Sequence, residues 1–181
     1  MGASNFDITG QPGMGLPVPL YPYGLGQGGS CNVPYLLDFA ALTKAGAFAT
    51  TPNPNNADII YFGKIPIGAQ ISGVLMDVLS AATDAGALTV TIGDYSDVTG
   101  DAITAAGYMA ATSIKSTGYT GTVLTDAYGA ATKVYSAVSY LALTLGGGVA
   151  TTLTTGKLLI VAKMSLLSIP AYSIVSPALW H

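Results

Sequence analysis

No arginine and no glutamate occur anywhere in this 181-residue chain. Its charges are nine aspartates and six lysines, 8% of the residues, against roughly 25% in an average soluble domain. Six scattered lysines without an arginine fork, in a chain of net charge −3, argue against a phosphate-backbone partner, so no nucleic acid is expected. Losing Glu and Arg also removes two good helix formers and the ion pairs that support exposed helices. Cys31 is the single cysteine; it excludes an intrachain disulfide and a cysteine metal site, and with no basic neighbour it reads as a spectator thiol. His181 is the single histidine and the final residue, leaving no material for a Ser-His-Asp triad or a zinc centre. With one tryptophan, Trp180, and no Glu, nothing singles out the paired carboxylates and aromatic platform of a glycoside hydrolase. The G-x-G pairs at Gly13 and Gly15 and at Gly24 and Gly26 have no G-K-S/T after them, so they read as spacers. These absences predict a protein that is not an enzyme and carries no cofactor.

Membrane signals are also thin. Residues 158–180 are the most apolar stretch, but Lys163, Pro170 and Pro177 interrupt it, and a spanning helix needs about 20 predominantly apolar residues. A buried strand followed by an extended tail is expected there, with no membrane partner. The opening MGASNFDITG lacks the basic and apolar regions of a secretory signal. MGASNF fits the loose myristoylation pattern, which is short enough to arise by chance.

What the chain does contain points to strands. Half of it is apolar, and Thr, Val, Ile and Tyr, with Gly and Asp at turns, favour sheets and tight connections. Its length suits one core. Residues 1–34 hold eight glycines and five prolines, a density of breakers that no regular element survives. They are read as an extended N-terminal arm, too apolar for a solvated linker, whose partner-binding residues are Leu16, Pro17, Val18, Pro19, Leu20, Tyr21, Pro22 and Tyr23. Residues 35–181 are read as a single β-sandwich domain.

Within that domain, strands are expected at 35–43, 59–65, 69–82, 87–94, 138–148 and 157–166, with short strands between 113 and 137. Gly73 in the third suggests a bulge. In 87–94, Leu88, Val90 and Ile92 alternate with Thr89, Thr91 and Gly93, the period-2 pattern of a half-buried strand. Alanine-rich 101–113 reads as a short helical turn interrupted by Gly107. Seven or eight short strands describe an all-β fold, a two-sheet β-sandwich or jelly roll. Asp94, Asp97 and Asp101 cluster after the period-2 strand. They are candidate calcium ligands, but their spacing is not that of an EF-hand loop, and solvated turn chemistry is the ordinary reading.

The block at 65–94 resembles a pattern of small tailed-phage head proteins. In that pattern an "IPAG" turn leads into a strand, a "DAG-x-LTVGD" strand follows and a "GKLxVVV" strand comes near the end; the matching segments here are PIGA at 66–69, DAGALTVTIGD at 84–94 and GKLLIVA at 156–162. About two thirds of the chain is covered. The pattern is similar to that of capsid decoration, or cement, proteins. The resemblance implies a structural virion protein of a bacteriophage that binds the outside of the head shell and stabilises it. Its partners would be the major capsid protein and copies of itself, as a homo-oligomer, often a homotrimer. It would be made in the host cytoplasm and reside on the capsid exterior. Two alternatives remain. One is a virion surface jelly roll binding host glycans or a receptor through exposed members of the 11 tyrosines. The other is a different virion part, such as a head-fibre base, neck or tail component.

Overall fold

The computed structural model describes residues 5–7, 30–40, 57–83, 86–98, 101–122, 133–147, 153 and 155–166. Ten strands occur among them: β1 (Asn5–Asp7), β2 (Ser30–Asp38), β3 (Ile59–Ile65), β4 (Ala69–Ser80), β5 (Thr89–Tyr95), β6 (Ala102–Ser113), β7 (Gly118–Thr122), β8 (Lys133–Val134), β9 (Ser139–Gly146) and β10 (Lys157–Leu166). They form two sheets, ordered β1-β3-β9-β5-β6 and β2-β10-β4-β7, with β8 also paired to β4. Short β1 runs parallel to β3; the other pairings are antiparallel. Setting aside β1 and β8, the eight remaining strands taken in chain order are arranged 1-8-3-6 and 2-7-4-5. That is the strand order of a jelly roll, which resolves the choice between jelly roll and plain sandwich.

The hydrophobic core lies between the sheets, where alternate residues of β4, β5, β9 and β10 point inward. β10 contributes Leu158, Ile160, Ala162 and Met164, and β9 contributes Leu141, Leu143 and Leu145. In β4 the inward set is Ala69 and Ile71, then Val74, Met76 and Val78. The phase change is a bulge: Lys163 faces Gly73 while Met164 faces Ile71, leaving Ser72 as the extra residue. The bulge expected near Gly73 is therefore present, and it keeps apolar residues inward on both sides of it.

The helical turn expected at 101–113 is a strand, β6, at the edge of the first sheet. Alanine's helix preference is a fraction of a kcal/mol per residue, and pairing to β5 outweighs it. β6 is also strongly bulged, since Ile92 faces Met109 but Asp94 faces Thr104. Two steps on β5 are matched by five on β6. The surplus folds Gly107, Tyr108 and Met109 inward together, all buried.

Two pieces of the expected arm belong to sheets. Asn5–Asp7 pairs with β3, and β2 begins at Ser30 and pairs with β10 from Ser165 back to Lys157. Residues 16–23, with the whole tail after 166, lie outside the described residues.

Candidate interaction face

Alternation that sends one set of side chains into the core sends the intervening set outward, and in a two-layer sandwich those outward positions are ordinarily polar. The second sheet departs from this. Leu36 on β2 faces Leu159 on β10, which faces Asp77 on β4, which faces Tyr119 on β7. The next row runs Pro34, Val161, Leu75. Leu36, Leu75, Leu159 and Val161 are half-buried and Pro34 is exposed. Tyr119 is 66% exposed, and Leu79, farther along β4, is 46% exposed. Apolar except for Asp77, these rows are bounded by polar ones: Asp38, Lys157 and Ser80 at one end, Asn32 and Lys163 at the other. At the first end the Lys157 ammonium meets Asp38 Oδ2 at 2.9 Å. An apolar centre with a polar rim is the anatomy of a protein-protein contact surface.

The opposite outer face, on the first sheet, carries a small buried cluster of its own. Tyr61, Tyr95 and Ala142 are buried there as a separate cluster flanked by Ile59, Val98 and Tyr140. Tyr61 packs edge-to-face against Tyr95 at 5.4 Å and against Tyr140 at 6.3 Å. The Tyr95 hydroxyl shares a 2.8 Å hydrogen bond with Thr144 Oγ1. Burial is the main reason its pKa lies above the usual tyrosine value.

Between the sheets sits a polar clasp. The series Leu88, Val90, Ile92 continues to Asp94, which therefore points into the sandwich and is fully buried. Lys133 on β8 donates to Asp94 Oδ2 at 2.6 Å, and the Tyr135 hydroxyl donates to the same oxygen at 2.8 Å. With its proton committed to Asp94, the Tyr135 oxygen accepts from the Tyr108 hydroxyl. The Lys133 ammonium also lies 4.9 Å from the centre of the Tyr135 ring. Burial first, then Tyr108 and Asp94, holds the Tyr135 hydroxyl protonated far above the ordinary tyrosine range. The clasp ties β5 and β6 of one sheet to β8 of the other.

Asp94 is thus a core residue, correcting its reading as solvated turn chemistry. Asp97 and Asp101 lie beyond the end of β5, where the Ser96 backbone N–H donates to the Asp101 carbonyl at 3.0 Å. Among the described residues no group of three or more His, Cys, Asp or Glu side chains stands where it could hold a metal ion. Cys31 falls within β2, opposite Met164. Of the described tyrosines only Tyr119 is exposed, so no patch of exposed aromatics forms among the described residues. No described helix is long and apolar enough to cross a membrane. The arm candidates Leu16 to Tyr23 and His181 lie outside the described residues.

Sequence reasoning missed Lys133, Tyr135 and Tyr108, and also the outward apolar rows. Both had signals. An aspartate on the inward register of a strand demands a partner, and the unbroken LLIVA of β10 marks a strand apolar on both faces.

No family model matches the chain, and no curated protein matches its sequence. In fold it is similar to a chain in the capsid of Ralstonia phage GP4, with 16% identity, a TM-score of 0.60 and coverage of 86% of this chain and 96% of that one. It is likewise similar to a chain in the cyanophage Pam1 capsid asymmetric unit, with 17% identity, a TM-score of 0.51 and coverage of 80% and 89%. At these identities the likeness is one of fold.

Proposed function

We propose that this chain is a structural virion protein, a decoration or cement subunit that binds the outside of a phage head shell and stabilises it. One observation carries the reading: the jelly roll matches chains of two phage capsids over nearly their whole length. It therefore matches them as an entire subunit rather than as an inserted module. The half-exposed apolar rows of the second sheet suit a protein whose work is contact, and the low charge favours association over repulsion. Its partners are the major capsid protein and further copies of itself. Residues 16–23 of the arm are assigned to attachment, by laying an extended segment along a neighbour's sheet edge. Many copies on one shell then multiply modest single-site affinities.

The test is to add the purified chain to phage shells lacking it and to follow co-sedimentation, shell melting temperature and a cryo-EM map. Exterior density with a raised shell melting temperature is expected. No binding, or density on the inner wall, overturns the proposal. Replacing residues 16–23 by a Gly-Ser segment of equal length should abolish shell binding while leaving the melting temperature of the isolated protein unchanged; full binding by that variant removes the arm's assigned role.

A further inference from the structure

We propose that the outer face of the second sheet docks on the same face of a second copy of this chain, related by a two-fold axis, with Lys163 of each copy set against Asp77 of the other. This rests on the reading of that face as an assembly surface. Four charged residues stand on or beside the apolar rows: Asp38, Asp77, Lys157 and Lys163. Asp38 and Lys157 satisfy each other. Lys163 and Asp77 make no ion pair among the described residues, and they cannot make one together within a single copy. Asp77 lies opposite Leu159, and Lys163 is four residues farther along β10. At the usual rise and strand spacing they are about 14 Å apart.

An isologous contact resolves this, because a two-fold axis between them brings each lysine to the other copy's aspartate and forms the pair twice. Each copy thus brings to the contact one cation and one anion that have no ion pair among the described residues. The face as a whole is neutral, two aspartates against two lysines, so two chains of net charge −3 meet there without local repulsion. A strongly acidic or basic partner would gain nothing from it. The area is adequate. Nine residues of β2 and ten of β10 give a length of about 30 Å, and four strands give a width of about 19 Å, so two stacked faces bury about 1,100 Å² in total. That lies at the low end of specific interfaces and fits a contact that is weak in solution and reinforced when copies are held on a lattice.

The experiment is sedimentation velocity of the full chain over a hundredfold concentration range, for the wild type, Lys163→Asp, Asp77→Lys and the double reversal, with circular dichroism melts to establish that each is folded. A concentration-dependent dimer is expected. Either single reversal opposes like charges twice and should weaken dimerisation about tenfold or more, and the double reversal should restore it to within about threefold. If a single reversal fails to fold, Lys163→Gln and Asp77→Asn replace the pair and should each weaken the dimer by a smaller factor. A monomer at every concentration, a trimer indifferent to the reversals, or a double variant no better than the singles overturns the proposal. Shell binding separates this inference from the virion reading. Dimers that ignore phage shells keep the two-fold contact and remove that reading, whereas monomers that decorate shells do the reverse.

Discussion

Lys133 and Lys163 stand on strands of the same sheet, yet one grips an aspartate at 2.6 Å inside the sandwich and the other makes no ion pair among the described residues. The difference lies in which way the strand turns each side chain. Lys133 shares the inward register with Tyr135, two residues on, and reaches Asp94 across the interior. Lys163 sits on the outward register of β10 between buried Ala162 and Met164. In a chain with fifteen charged residues, the inner pair ties one sheet to the other, whereas Lys163 faces outward and is exposed. Inside, a charge without its counterpart is costly; outside, water makes solitude nearly free. The comparison therefore predicts very unequal responses to similar substitutions.

The largest should come from Asp94→Ala. It takes from the buried Tyr135 hydroxyl and from Lys133, whose side chain is 24% accessible, the carboxylate they share; breaking a buried pair on one side costs about 3–5 kcal/mol, and the access of Lys133 to water puts this case at the low end. Urea denaturation should show a loss of that size. Replacing both partners, Asp94→Leu with Lys133→Met, should recover most of it, because removing a buried pair together is often nearly neutral. A single variant within about 1 kcal/mol of wild type would mean that the clasp does not hold β8 to the first sheet.

Next in size is Gly93→Ala, which tests how the clasp is positioned. A Cβ at Gly93 would lie 2.2 Å from the Thr104 carbonyl oxygen and 2.4 Å from the Ala105 backbone, so β6 could no longer lie where its bulge delivers Tyr108 to Tyr135. Overpacking of this kind costs about 1–3 kcal/mol. A thermal melt equal to wild type would show that β6 can shift without disturbing the clasp.

These two residues also show how far the sequence could be read. Strands at 59–65 and 157–166 were legible to the residue, because their apolar runs end at turn signals. The bulge in β4 was legible from Gly73. β6 was not, since alanine carries little information about the face of a strand, and what decides its state is β5 alongside it. Asp94 reads as part of the turn after its strand when the inward series is followed only to Ile92. Its partner Lys133 is 39 residues away, and no local pattern announces a pairing made across two sheets. The outward apolar rows were latent in the runs of β2 and β10, and they became a face only once β4 and β7 were placed beside them.

A third response is to pH. Tyr135 keeps its proton in the folded protein well above the ordinary tyrosine value of about 10, whereas in the unfolded chain it ionises there. Above about pH 10 the native state therefore holds the extra proton, so stability from this group is present below that pH and is lost as pH rises, by about 1.4 kcal/mol per pH unit. Urea midpoints measured from pH 9 to 11.5 should fall, and Tyr135→Phe should flatten the decline by up to one proton's worth. A decline of equal slope in the variant would place the linkage on other groups.

The smallest effect should be at the rim, where Lys157 and Asp38 make the same kind of pair as Lys133 and Asp94 but in solvent. Their distance, 2.9 Å, is only slightly longer than that of the buried pair, so geometry alone would rank the two alike. Exposure does not: the Lys157 side chain is 41% accessible and Asp38 29%, against complete burial of Asp94. Water already solvates both partners, and exposed pairs contribute about 0–1 kcal/mol. Lys157→Ala should therefore shift the urea midpoint by no more than that, and raising salt to 1 M should remove most of the difference from wild type. Should Lys157→Ala cost as much as Asp94→Ala, burial would not be what separates the two pairs, and the rim of the second sheet would be part of the folded core rather than the edge of a contact face.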